Sequence, residues 1–225
     1  MADYCTLEEL KEAIEVETSG HDSPLLGAIT AASRAIDSYC NRPDGFVALA
    51  TATARRFSGS GGAVQWVDEC VEVTDVEVKD SATDTAYTAW AASDWLAASG
   101  NPENPDFNRT PYRMLIVDPT GDYDHFTGGR FAWRAGFRPD PDSVRQRGTP
   151  TVRVTAKWGY AVSVPAQVKE ACIIQTARWY KRGQSAWADT VANPDVGQLM
   201  YRKELDPDVK FILSDGGFVK PRLGA

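Results

Sequence analysis

The chain has 225 residues, 43% of them hydrophobic, which is enough apolar material for one large domain or two smaller ones. Its 24 Lys and Arg against 31 Asp and Glu give a formal charge of −7, which argues against a grip on DNA or an anionic membrane by the molecule as a whole and leaves only local basic patches. No apolar run reaches the roughly 20 residues that span a bilayer, and residues 1–20 are acidic and helix-forming, so a folded, soluble chain without a standard secretion signal is expected.

Thr6-Leu7-Glu8-Glu9 has the form of a capping box and predicts a short first helix with Leu7, Leu10 and Ile14 on one face. After the Thr18-Ser19-Gly20 break, Asp22 or Ser23 is the expected cap of a second helix, with Pro24 in its first turn and Leu25, Ile29, Ala32, Ile36 and Tyr39 as its buried stripe. Asn41-Arg42-Pro43 ends it. From Phe46 to about Trp158 the period becomes two, as in Val71 to Thr74, Val76 to Val78, Met114 to Val117 and Val152 to Ala156. Turns are expected at 59–62, 99–102 and 118–121, and a longer exposed loop from Asn101 to Pro111.

The clearest helix signal follows Trp158. Pro165 suits a first helical turn, Val168, Ala171, Cys172, Gln175 and Trp179 share one face, and Ile173, Ala177 and Tyr180 share its neighbour. Two adjoining apolar faces call for two partners, so this helix is expected inside a bundle or against a neighbouring subunit. Residues 183–201 have weak periodicity and read as a loop or mobile arm. Asp206-Pro207 starts a last short helix with Val209, Phe211, Ile212 and Leu213, which Gly216-Gly217 stops. The expected fold is α+β: a helical bundle formed by both chain ends, residues 1–45 and 150–225, with an inserted antiparallel β domain, residues 46–149.

Catalytic constellations are not prominent. His21 and His125 lack a two-His metal spacing, and Asp118, Asp122, Asp124 and His125 lack the EF-hand order, so an acidic turn is the simpler reading. Gly59-Ser60-Gly61-Gly62 has no Lys-Ser/Thr of a phosphate loop, no GxSxG elbow occurs, and Asp140 with Asp142 lies in a Pro-rich surface context. Asn108-Arg109-Thr110 is a chance match to the glycosylation pattern in a chain without a secretion signal. Cys5, Cys40, Cys70 and Cys172 form no CxxC pair and are expected as reduced, buried thiols. No enzymatic activity, cofactor or metal is expected.

Aromatic and basic residues gather at the helix ends instead: Trp179, Tyr180, Lys181, Arg182, Trp187, Phe211, Phe218, Lys220 and Arg222. Such residues anchor protein interfaces, with core packing the competing reading for Trp179 and Tyr180. Phe218 and Val219 follow a double glycine and are more apolar than a solvated tail requires, so a partner is expected to order them. Trp66, Trp90, Trp95 and Trp133 motivate an alternative, a small-ligand or carbohydrate-binding β domain on a helical stalk. A hydrolase built on the 118–125 loop is a third.

The order of several motifs is similar to that of a known family. The Thr6-Leu7-Glu8-Glu9-Leu10-Lys11 start, the Ala35-Ile36-Asp37-Ser38-Tyr39-Cys40-Asn41-Arg42 helix end, the Lys157-Trp158-Gly159-Tyr160 strand end, Val164-Pro165, and the Ala177-Arg178-Trp179-Tyr180-Lys181-Arg182 helix end resemble the head-to-tail connector (adaptor) family of tailed double-stranded-DNA phages. The resemblance covers about residues 6–46 and 150–215. It implies a structural virion protein of the neck, a ring of copies, commonly twelve, that joins the portal protein to the stopper or tail while DNA passes through the lumen without sequence-specific binding. It also implies that residues after Gly216 contact the portal. The β unit departs from the shorter members of that family.

Overall fold

The computed structural model describes residues 2–128, 150–184, 190–193, 197–200 and 204–220, the two short strands among them by their backbone. Trp133, Asp140, Asp142, Trp187 and Arg222 lie outside the described residues. The described chain is α+β, with four α-helices and an antiparallel sheet of seven strands. It divides into two compact units, residues 1–47 with 163–225, and residues 48–162.

In the first unit, α1 (Leu7–Ala13) opens with the expected capping box: Thr6 Oγ1 accepts from Glu9 N at 3.2 Å, and Glu9 Oε2 accepts from Thr6 N at 2.9 Å. The start of α2 (Asp22–Tyr39) differs from expectation. A 3₁₀ turn, Ser19–His21, feeds directly into it, and neither Asp22 nor Ser23 is its cap; the Asp22 carboxylate accepts from Lys11 Nζ at 2.8 Å instead. Leu25, Ile29, Ala32 and Ile36 are buried as their spacing predicts.

The third helix, α3 (Ala166–Gln184), lies against each of the other three. Its buried face is Val168, Ala171, Cys172, Gln175 and Thr176, whereas Ile173, Ala177, Trp179 and Tyr180 are only half-buried, so the second apolar face is not enclosed within this unit. Gln175 is not wasted in the core: its Oε1 accepts from Asp206 N at 2.9 Å and so ties α3 to the start of α4 (Pro207–Asp215). Asp206 caps α4 by accepting from Asp208 N at 2.9 Å, and its carboxylate meets Arg178 Nε at 2.7 Å. Within 183–201, expected as a loop, β8 (Thr190–Asn193) and β9 (Gly197–Met200) pair as an antiparallel hairpin. Thr190-Val191 are strand formers, but four residues is too short a run to show a period.

The chain ends are held by long-range contacts. The Tyr4 hydroxyl donates to the Asp37 carboxylate and accepts from Phe46 N at 3.1 Å. Gly45, at φ +79°, makes room for it, since a Cβ there would lie 2.9 Å from Tyr4 Oη. The Tyr4, Phe46 and Phe218 rings then pack edge to face, each successive pair 5.6 Å apart. Phe218 is only 4% exposed; its N–H donates to Leu213 O at 3.1 Å, Arg42 Nε donates to its carbonyl at 2.9 Å, and Lys220 N donates to Cys40 O at 3.0 Å. The expectation that residues 218 to 220 form a tail awaiting a partner is therefore corrected. The chain's own Phe46 and α2 end order them.

In the second unit the strands are β1 (Thr53–Ser58), β2 (Val64–Val78), β3 (Thr88–Ala89), β4 (Trp95–Asn101), β5 (Asn104–Asp106), β6 (Tyr112–Val117) and β7 (Pro150–Trp158). Their order is β1-β7-β2-β6-β4-β5, with β3 beside β2. β2 serves three neighbours, β6 along its first half, β7 along the rest and β3 at its end, and its register slips near Cys70 and Val73 let one 15-residue strand bend between β6 and β7. β7 lies between β1 and β2, so the unit runs to Val162 and not only to residue 149, the expected domain bound, in keeping with the alternating pattern that runs to about Trp158. β5 occupies part of the expected 101–111 loop and pairs with β4 across the tight turn after Asn101. The core joins Val76, Val78, Leu115, Val117, Val152, Val154, Ala156 and Trp158.

Candidate functional site

Small residues on α2 leave a groove beside the C-terminal end of α3. Pro24, Gly27, Ala28 and Ala31 recur at helical spacing on one side, Trp179, Tyr180, Gly183 and Gln184 form the other, and His21 closes one end, around about 530 Å³. The lining is mainly apolar. His21 stands edge-on to Tyr180 with ring centroids 5.8 Å apart. The Tyr180 hydroxyl is enclosed and has no hydrogen-bond partner among the described residues. The last two turns of α3 carry Arg178, Lys181 and Arg182 and no carboxylate.

The second exposed feature of this unit is Phe211 on α4, 69% exposed. Asp208 and Asp215 share its helical face three residues before and four after, both exposed. Phe211 does not line the groove of its own chain. The structure thus places Trp179 and Tyr180 together in the groove wall, Lys181 and Arg182 on the same helix end, and Phe211 apart on α4; it assigns Phe218 to the core and Lys220 to a backbone tie with Cys40. Gly27, Ala28 and Ala31, which shape the groove, went unnoticed in the sequence, although Gly27 in mid-helix, with open space where a Cβ would stand, was a readable signal.

The described tryptophans of the sheet unit do not form a ligand platform. Trp90, 8% exposed, stacks on Tyr123 at 4.3 Å and Phe126 at 4.9 Å inside the core, and Trp95 packs half-buried against the same cluster. Trp66 alone among the described ones is 51% exposed. The 118–125 acids serve the turn: Asp118 Oδ1 accepts from Thr120 N at 2.8 Å and from its hydroxyl at 2.6 Å, which holds that carboxyl below its usual range. Asp124 pairs with His125 at 2.5 Å. Among the described residues no group of three or more His, Cys, Asp or Glu is arranged to hold a metal, and no helix is long and apolar enough to cross a membrane.

All four cysteines are free and buried. Burial pushes the thiols of Cys40 and Cys70 up to about 12. Cys5 Sγ lies 3.6 Å from Cys172 Sγ, and the hydrogen bond between them lowers Cys172 and raises Cys5; with Cys172 fully enclosed, the pair offers no nucleophile to a substrate.

No protein-family model matches the chain, and no curated protein matches it. Among solved structures, the chain is similar to one described as the neck of an empty GTA particle computed with C6 symmetry, at 15% identity and a TM-score of 0.48, over 99% of this chain and 93% of that one.

Proposed function

We propose that the chain is a non-enzymatic structural protein of a phage-like virion: a head-to-tail connector (adaptor) whose copies form a ring, twelve in the family it resembles, between the portal and the stopper or tail. In this reading residues 1–47 and 163–225 are a helical bundle that builds the ring, and the sheet unit is a separately folded insertion. DNA passes through the lumen, and a net charge of −7 suits a passage that DNA must traverse without sticking. The observation that carries the reading is the composition of the helical unit. It gathers four of the five motifs of the resemblance into one compact body, the Lys157 to Tyr160 strand end lying in the sheet unit, and it leaves the second apolar face of α3 only half-buried and Phe211 69% exposed, as a subunit completed by neighbours would.

The test is to purify particles from producing cells and locate the chain by immunogold electron microscopy. Label at the head-to-tail junction, with cross-links to the portal, is the expected result. A chain absent from purified particles, or spread over the capsid or tail, would remove this reading.

A further inference from the structure

Two of the four cysteines meet. Cys5 lies two residues before α1 and Cys172 within α3, 167 residues apart in the chain, yet the Cys5 thiol donates to Cys172 Sγ at 3.6 Å and both side chains are buried. Two hydroxyls stand beside the sulfurs: Ser33 Oγ of α2 lies 3.5 Å from Cys172 Sγ, and Thr176 Oγ1 of α3 lies 3.9 Å from it. Their protons go elsewhere. Ser33 Oγ donates to Ile29 O at 2.9 Å and accepts from Tyr4 N at 3.1 Å, and Thr176 Oγ1 donates to Cys172 O at 2.7 Å. A covalent bond between the sulfurs therefore removes only weak thiol hydrogen bonds and strands no buried hydroxyl or amide. We propose that Cys5 and Cys172 are a redox pair, which hydrogen peroxide converts into a disulfide tying the segment before α1 to α3. The proposal does not rest on the virion reading above.

The folded pair is closed to a bulky substrate, with Cys172 fully enclosed and Cys5 6% exposed. Access comes through the chain end. Residues 2–5 belong to no helix or strand; Arg34 Nη2 donates to Ala2 O, Thr30 Oγ1 to Asp3 Oδ2 and Tyr4 N to Ser33 Oγ, and these bonds hold the segment to α2. A terminal segment held by few contacts opens at lower free energy than the unit unfolds. In the open state the Cys5 thiolate attacks a peroxide oxygen: an S–O bond forms, the O–O bond breaks, and hydroxide leaves as water with the proton that the thiol released. Reclosure brings the Cys5 sulfenic acid against Cys172. That sulfur attacks Cys5 Sγ, the S–S bond forms as the S–O bond breaks, and the oxygen leaves with the Cys172 proton as a second water. Two thiols thus give up two electrons and two protons to one peroxide. The cross-link restricts the unfolded chain, so the helical unit is more stable in oxidising than in reducing surroundings. Cys40 and Cys70 are fully enclosed, with no sulfur among the groups that act on them, and stay as thiols.

The experiment exposes the reduced, full-length chain in dilute solution to hydrogen peroxide, blocks the remaining thiols under denaturing conditions, and maps the peptides by mass spectrometry with and without reduction. The expected map shows Cys5 linked to Cys172, Cys40 and Cys70 blocked as free thiols, and no link between isotopically light and heavy chains. Oxidation is expected to raise the calorimetric transition of the helical unit by roughly 10 °C, a shift that dithiothreitol reverses and that Cys5→Ala lacks. The linked peptide and its thermal shift are read on the wild-type chain, so the outcome does not depend on how well the variant folds. Four free thiols after an exposure that oxidises the urea-unfolded chain would overturn the inference. So would oxidation of Cys40 or Cys70 at an equal rate, Cys5 ending as a sulfinic acid, links only between chains, or a Cys5–Cys172 bond that leaves the transition unmoved.

Discussion

The helical unit and the sheet unit put their buried aromatic side chains to different uses. The sheet unit spends Trp90 and Trp158 on its core, at 8% and 1% exposure, with Phe126 fully enclosed beside them. The helical unit divides its aromatics: Tyr4, Phe46 and Phe218 form a buried run that staples the two chain ends together, while Trp179 and Tyr180 are half-exposed and Phe211 is 69% exposed. A helix of nine residues has little propensity to fold alone, so an aromatic left on its outer face does nothing for the fold. The lesson is that buried aromatics hold the interior of the sheet unit but the chain ends of the helical unit, whereas exposed apolar side chains occur in both: Leu26 and Phe211 in the helical unit, Leu49, Trp66, Leu96, Phe107 and Val162 in the sheet unit.

Phe218 and Phe211, seven residues apart, give the sharpest way to break this comparison. Phe218→Ala opens a cavity against Phe46 and is expected to cost the helical unit about 3–5 kcal/mol, read as a lowered calorimetric transition with the sheet unit's transition unmoved. Phe211→Ala is expected to change stability by no more than about 0.5 kcal/mol, while impairing self-association. Equal stability losses would mean that the burial difference between them is wrong.

Next in size is Gly45→Ala. It forces a Cβ onto a φ of +79° and towards the Tyr4 hydroxyl, and is expected to cost about 1–2 kcal/mol. The loss should appear in the helical unit alone, together with faster amide exchange at Phe46, whose N–H donates to Tyr4 Oη.

The two units also carry opposite pH signatures. Burial first, against the hydrogen bond from Tyr4 and the charge of Arg34, raises the Asp37 carboxyl above its ordinary range. A raised acid is a stabilising feature only below its unfolded value, and that contribution is lost as pH rises through the folded value. In the sheet unit the Arg153 guanidinium, hydrogen-bonded to Glu77, lowers that carboxyl, so its contribution is present above the ordinary glutamate range and lost as pH falls through the lowered value. Glu9, lowered by Lys169, has the Glu77 sign inside the helical unit. The informative quantity is therefore the difference between wild type and Asp37→Asn: the fall of the helical transition with rising pH is expected to disappear in the variant. Arg153→Met is expected to reduce the acid-side fall of the sheet transition, the remainder belonging to other lowered carboxyls such as Asp118. An unchanged pH profile in Asp37→Asn would show that Asp37 is not buried as described.

The smallest effect concerns Lys169 and Glu9, 2.6 Å apart but 41% and 36% exposed. Lys169→Met is expected to shift stability by about 0.5 kcal/mol or less, and less again in salt.

What was legible in the sequence was local. The Thr6 to Glu9 box, the Leu25 to Ile36 stripe, the Asp206 cap and the alternating strands all write their signal within a few residues, because a cap or a period is a property of neighbours. What was not legible was the partner of each apolar residue. Phe218 looked unowned because Phe46, which covers it, is far away in the chain, and only the turn at Gly45 brings that ring into place. Trp90 looked available for a ligand because Tyr123 and Phe126 arrive from another turn. The groove was hidden for a different reason: Gly27, Ala28 and Ala31 read as ordinary helix, and a concavity appears only when Trp179 and Tyr180 stand opposite.

The central claim, that the helical unit is a subunit surface completed by further copies at the head-to-tail junction, is tested most directly by electron cryomicroscopy of the neck in intact particles. The account predicts a ring of copies of this chain in which Phe211 and the half-buried face of α3 lie against neighbouring chains. A neck built without this chain, or a ring in which Phe211 and that face remain in solvent, would contradict it.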